Sequence, residues 1–272
     1  MSNPLSTLDS LILGVVEGVT EYLPVSSTGH LVVVQRWLGL GDSVGRDAAD
    51  TYAIAIQIGA IFAVVLLYWS RLVSMLKGVA GRDADGRRVL GCLVLSFLPA
   101  AVVGAAFGDS IKDKLFSPGP VVAAWAVGGI FLLAWKPRAG NLGLSDVGAR
   151  GALIIGVAQT LALWPGVSRS LVTIAAALIV GCSMSAALEY SFLLGLATLS
   201  AATVLDLSKH GDVLVNDYGV ARPLLGVVVA FVTPAASVKW LVSYLSKHPL
   251  SRFGWYRLAA AVITLALWST LS

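Results

Sequence analysis

Two pairs of short apolar segments, each broken at a proline, constrain this chain more than any other feature. The first pair covers 9–24 and 25–38 and breaks at Pro24; the second covers 151–164 and 168–182 and breaks at Pro165-Gly166. Proline removes a backbone donor and disfavours helix in the residue before it, so each pair reads as two short helices with a true break between them. Around them lie six longer apolar runs, at 52–69, 89–107, 119–135, 187–205, 223–243 and 255–271. These approach the roughly 20 residues that a spanning helix needs. Only 12% of the residues are charged, and 57% are hydrophobic. A soluble fold could not cover its surface with so few polar groups. A soluble globular enzyme, a disordered chain and a nucleic-acid binder are excluded, despite the net charge of +4. The predicted fold class is an all-α polytopic membrane protein. Free backbone groups at membrane depth persist only inside protein or beside a wet cavity, so the two breaks are expected to point inward.

The two pairs also match each other at an offset of 142: Gly14 with Gly156, Val25 with Val167, Ser26 with Ser168, Glu17 with Gln159 and Thr28 with Ser170. Three full spans follow each pair. The expected architecture is a single membrane domain over 1–272 built as an inverted-topology repeat, 1–140 and 141–272. Each half is a re-entrant helical hairpin plus three transmembrane helices. The loops at 70–88, 136–150 and 244–257 carry eleven Lys and Arg, Arg257 among them, against six in the other three. That places the first set in the cytoplasm and both termini outward. Cys92 and Cys182 lie in apolar runs without metal-ligand spacing and read as core residues. The N-terminus has no basic stretch, so no cleaved signal peptide is expected.

The densest polar cluster in an apolar run is GVVEGVTEYLPVSSTGH, residues 14–30. Glu17 and Glu21, spaced i, i+4, share one face of the first short helix. Carboxylates at membrane depth are costly and usually functional, although they could instead line a crevice or bind a neighbouring helix. Ser26, Ser27 and Thr28 restart the helix, where hydroxyls cap free amides and the same amides bind anions. His30 follows. A lone histidine is more often structural, but this one stands near two acids. The second hairpin reads ALWPGVSRSLVT, with Arg169 as the arginine inside an apolar helix pair, flanked by Ser168 and Ser170 and one turn before Thr173. Guanidinium binds phosphate or carboxylate bidentately, so Arg169 suits a phosphate, an ion pair with Glu17 or Glu21, or both. Together these groups suit a phosphate ester or anhydride better than a sugar. Two carboxylates and a histidine are too few for a dedicated metal cage.

EGVTEYLPVSSTGH and PGVSRS…T closely resemble the undecaprenyl-diphosphate phosphatase, or bacitracin-resistance protein, family. The resemblance extends through YAIAIQIGAIFAV around Gln57 and ALEYSFLL around Glu189. It implies hydrolysis of a polyprenyl diphosphate lipid to the monophosphate at the outer face of the bacterial inner membrane, recycling the carrier for cell-wall synthesis. It further implies catalytic roles for Glu17, Glu21, Ser27, His30 and Arg169. Substrate binding is expected from Ser26, Thr28, Ser168, Ser170, Thr173 and Gln57. A divalent cation, Mg²⁺ or Ca²⁺, is expected to arrive with the substrate phosphates and meet Glu17 and Glu21. The chain departs from the family at Leu171, Ala175 and Ala176, and at Gly195-Leu196-Ala197-Thr198. These departures bear on the shape of the second hairpin and on lipid preference. The competing expectation is a secondary transporter or flippase for the polyprenyl phosphate, because broken helices in inverted repeats are also a transporter plan. The bilayer is the expected surroundings, no nucleic acid is expected as a partner, and a homodimer stays open.

Overall fold

In the computed structural model the described residues, 5–40, 45–138 and 140–267, are helical, with no strand beyond a single bridge between Leu142 and Cys182. The helices are α1 (Thr7–Thr20), α2 (Ser27–Trp37), α3 (Arg46–Ala55), α4 (Gln57–Leu67), α5 (Trp69–Val79) and α6 (Ala84–Leu115). They continue as α7 (Pro118–Ala134), α8 (Gly148–Gln159), α9 (Arg169–Val180), α10 (Met184–Tyr218), α11 (Ala221–Leu245) and α12 (Ser251–Ala266). Both expected breaks are present, between α1 and α2 and between α8 and α9, where a 3₁₀ turn at Thr160–Leu163 precedes Pro165.

Each broken pair restarts with the same device. Ser26 has φ 72° and Ser168 has φ 77°, the only non-glycine residues with positive φ among the described residues. Ser26 caps α2 by accepting from the Gly29 amide, and Ser168 caps α9 by accepting from the Leu171 amide, both at 3.3 Å. A non-glycine residue held there costs about 1–3 kcal/mol and persists only where its surroundings fix it.

Four stretches are long and apolar enough to cross a membrane: 46–67, α6, α10 and α11. The chain is therefore a multi-pass membrane protein. The first stretch is interrupted at Ile56, so that Gln57 begins α4. With 32 and 35 residues, α6 and α10 run well past the apolar runs that announced them. The other two expected spans are shorter. α7 has 17 residues and α12 has 16, and the end of the 255–271 segment lies outside the described residues. α5 falls in the basic 70–88 segment, expected as a loop, and packs on α6. Asp83 caps α6: its carboxylate accepts from the Gly86 amide and from the Ser74 hydroxyl, which hold it below the usual carboxylate range.

Backbone proximity organises the packing. α1 lies along α11, α4 also packs on α11, α6 packs on α8, α7 on α12, and α3 on α10. Within lipid, small residues let helix backbones approach closely. A Cβ on Gly14 would sit 2.8 Å from the Gly226 carbonyl, and one on Gly59 would sit 2.2 Å from the Val227 carbonyl. Val102, Phe107, Val127, Val204, Val232 and Val262 are exposed on the outside, as lipid-facing positions require. Gly59→Ala should push α4 away from α11. Overpacking typically costs about 1–3 kcal/mol, so the purified variant should melt below wild type in detergent. Gly91→Ala, where a Cβ meets nothing within 4 Å, serves as the control and should melt like wild type.

Candidate active site

The two breaks meet, and each serine cap reaches across to the other hairpin. Ser26 Oγ accepts from the Gly166 amide at 3.1 Å, while the Ser168 and Ser170 hydroxyls donate to the Leu23 carbonyl at 3.4 and 2.7 Å. Trp125 of α7 donates its indole N–H to the Val25 carbonyl at 3.0 Å. The central tie is Arg257. Its guanidinium, fully buried, donates to the carbonyls of Pro24, Gly166, Val167 and Ala124 at 2.7–3.3 Å. One side chain thus satisfies backbone acceptors that both breaks leave free. Arg257, expected among the loop charges, lies inside the bundle instead, so the basic count becomes ten against six. It also joins Arg169 as a second arginine inside the bundle. Its place two residues into the 255–271 apolar run was the available signal.

Glu21 and Arg169 form the charged centre. Arg169 Nη2 donates to Glu21 Oε1 at 2.8 Å, and Nη1 donates to the Ser191 carbonyl at 2.9 Å. The guanidinium carbon lies 5.5 Å from the Tyr22 ring centroid, within cation–π range. The Ser27 hydroxyl donates to the other carboxylate oxygen, Glu21 Oε2. Glu21 therefore holds an arginine on one oxygen and a serine hydroxyl on the other. Glu17, one turn back, is fully buried near Glu21 and Ser27, and neither of its carboxylate oxygens makes a well-formed hydrogen bond.

A cavity of about 440 Å³ opens from this centre between α6 and α10. Of the residues singled out from sequence, Glu21, Ser26, Ser27, Thr28, Gln57, Ser168 and Arg169 line it, and Gln159 joins them. Glu17, His30, Ser170 and Thr173 lie outside the lining. Thr173 donates to the Arg169 carbonyl at 2.8 Å and pairs with the Ser191 hydroxyl at 2.7 Å. His30 faces away: Nδ1 lies 2.6 Å from the Ser26 carbonyl and Nε2 2.8 Å from the Tyr256 hydroxyl. A carbonyl only accepts, so Nδ1 carries the proton. Leu171, Ala175 and Ala176, the departures in the second hairpin, are buried away from the cavity. At the far end, Lys112 pairs with Asp206 and Lys209 with Asp109, each at 3.1 Å, tying α6 to α10. Among the described residues, no three His, Cys, Asp or Glu side chains group as metal ligands.

Arg257→Lys keeps the charge but replaces a planar five-donor fork with a point of three donors. It should leave at least one buried carbonyl unpaired, at about 1–3 kcal/mol. The variant should melt well below wild type in detergent; an unchanged melting temperature would remove Arg257 from its structural role.

Comparison with known proteins follows the same residues. Residues 10–263 match the family described as bacitracin resistance protein BacA. The undecaprenyl-diphosphatase of Sorangium cellulosum (strain So ce56) is 43% identical over 95% of this chain and 85% of its own length. That of Dechloromonas aromatica (strain RCB) is 40% identical over 98% and 96%. Undecaprenyl-diphosphatase 2 of Rhodospirillum rubrum is 41% identical over 97% and 96%. Matches that reach from one end of the chain almost to the other, and take in both hairpins, show that it belongs to the bacitracin resistance protein BacA family.

Proposed function

We propose that this chain is a membrane-embedded phosphatase that hydrolyses undecaprenyl diphosphate to undecaprenyl phosphate and inorganic phosphate. The carrying observation is the Ser27–Glu21–Arg169 constellation at the floor of a cavity whose walls are apolar. A hydroxyl bonded to a carboxylate is an activated nucleophile, and a guanidinium beside it is a phosphate ligand. The diphosphate lies on the floor, with Arg169, Ser168 and Thr28 around the terminal phosphate. Ser27 Oγ attacks the terminal phosphorus as Glu21 takes its proton. The O–P bond forms, the anhydride P–O bond breaks, and undecaprenyl phosphate leaves. Glu21 passes that proton to the departing phosphate, and water then cleaves the phosphoserine with Glu21 again as base. Direct attack by water held on Glu21 uses the same groups. Phosphoryl transfer depends chiefly on positioning and electrostatics, which the buried floor supplies. His30 acts here through Ser26, whose carbonyl it holds.

The orphaned Glu17 carboxylate beside Glu21 fits a hard divalent cation. Carboxylate oxygens of Glu17 and Glu21, together with substrate phosphate oxygens, would supply the oxygen donors that Mg²⁺ or Ca²⁺ takes. Such a cation, when bound, offsets charge on the diphosphate.

The architecture in this reading is an inverted repeat of 1–140 and 141–272, each half a re-entrant hairpin followed by three spans. Support comes from paired observations. Ser26 and Ser168, 142 apart, share an unusual φ and bond reciprocally to the opposite break. The α1–α11 contact has its counterpart in α8–α6. The basic count, at ten against six, supports outward termini, and the cavity mouth is formed by Asp109, Lys112, Asp206 and Lys209 near outward loops. In this reading the reaction takes place on the periplasmic side of the inner membrane.

Purified protein in detergent should release phosphate from undecaprenyl diphosphate, where a transporter would release none. Glu21→Gln should lower turnover at least about 100-fold, the lower range for a positioned acid or base, while eluting normally. Activity within a few-fold of wild type would return Glu21 to a structural role.

Orientation is tested separately, since the native cysteines are buried. In intact cells a membrane-impermeant maleimide should label Asp212→Cys and spare Arg82→Cys, both positions being exposed. The reverse pattern would move the reaction to the cytoplasmic face.

A further inference from the structure

Beyond its polar floor the cavity has walls that packing does not explain. α6 lines it with Ala101, Gly104, Ala105 and Gly108, spaced i, i+3, i+4, i+7 along one helix face, and α10 contributes Ala201 and Ala202. Small residues on facing membrane helices ordinarily bring the backbones together. These do not. A Cβ on Gly104 would meet only a Leu163 methyl at 3.7 Å, and one on Gly108 would meet nothing within 4 Å. Gly14 and Gly59, by contrast, sit against backbone. A glycine inside a helix costs about 0.5–1 kcal/mol relative to alanine, and here no neighbouring side chain uses the room. The slot is also bounded by polar groups. Arg169, Ser27 and Glu21 form its floor, and Asp206 at the mouth keeps Oδ2 without a hydrogen bond although nine-tenths of the residue is buried. An apolar slot continuous with a phosphate-binding floor fits an amphiphile. On the lipid side of the same helices Val102 and Val204 are exposed, so a chain leaving the slot between α6 and α10 passes straight into the bilayer.

We propose that the slot between α6 and α10 holds the first isoprene units of the substrate, and that Gly104 and Gly108 set the width needed for their methyl branches. This rests on the phosphatase reading. A branched isoprenoid chain is wider than a straight alkyl chain, so the two glycines select branched over straight lipids rather than long over short ones.

The test first measures phosphate release from undecaprenyl diphosphate by the wild-type protein; its absence would sink the phosphatase reading itself. With that activity in hand, farnesyl diphosphate and dodecyl diphosphate are titrated as competitors. In wild type both should compete, the branched one better. In Gly104→Ala and Gly108→Ala the potency of farnesyl diphosphate should fall about tenfold, the scale on which a hydrophobic pocket reads one methylene. Dodecyl diphosphate should stay within about twofold of wild type, the straight chain gaining no clash from an added methyl. Both variants should melt at or above wild type, since alanine is the better helix former and nothing clashes. An equal fall for both competitors, no change for either, or no competition by either in wild type would each overturn the slot while leaving the catalytic assignment standing.

Discussion

A single buried guanidinium holds the centre of this protein together. Two helices broken inside a membrane protein leave backbone carbonyls that water cannot reach, each costing several kcal/mol if unpaired in hydrocarbon. Arg257 answers four of them at once, from both breaks and from α7. Lysine has too few donors and the wrong shape, and a neutral amide has only two. The geometry of the site follows from that tie. With Pro24, Gly166 and Val167 gathered on one guanidinium, Ser26 and Ser168 can cap their own helices and reach the opposite break. Their left-handed backbones are held by bonds on both sides. Ser27 and Arg169, which meet at Glu21, then stand one residue beyond each cap.

Burial of charge at that centre is tolerable because it is paired. Removing one partner of a buried ion pair leaves an uncompensated charge and is strongly destabilising, whereas the intact pair roughly breaks even. Glu21 and Arg169 are nearly buried, yet each has further partners: Ser27 for the acid, and the Ser191 carbonyl and Tyr22 ring for the arginine. Glu17 has no such company. Stability alone gives no reason to keep it. The Lys209–Asp109 pair differs in kind, since both side chains are exposed and such a pair contributes little to stability, whereas Lys112–Asp206 is nearly buried.

Much of this was legible in the sequence, for physical reasons. Proline and glycine mark a helix break wherever they fall in an apolar run, so both breaks were readable. Acids and an arginine in such runs are rare enough to stand out, and Glu21, Ser27 and Arg169 do meet. The rest depended on tertiary partners. Arg257 was hidden by position, because an arginine at the edge of an apolar run looks like a loop charge until its carbonyls are visible. Helix ends were poorly marked: α6 and α10 continue through polar residues that hydropathy assigns to loops. α5 escaped because a short amphipathic helix lying against α6 carries as much charge as a loop. His30 illustrates the opposite problem. Its nearness to the acids in sequence placed it with them, whereas the helix turns it toward Tyr256 and Trp125.

The two broken pairs match in their caps, but not in their polar side chains. At the offset of 142, Ser26 falls on Ser168 and Gly14 on Gly156, which keep the caps and the close helix approach. The reactive positions diverge: Glu17 falls on Gln159, Glu21 on Leu163, Ser27 on Arg169 and His30 on Val172. Had both hairpins carried the acids, four carboxylates would repel one another around one centre with little to offset them. Had both carried the arginine, Arg257 would face two further cations. Giving the acids and Ser27 to one broken pair and the Arg169 guanidinium to the other makes the two electrically complementary across the joint. The same division gives the protein a direction. The cavity between the later turns of α6 and α10 has both signs of charge in its lining. In the proposed reading, two broken pairs of like backbone serve one active site, and they differ at these four positions near the breaks.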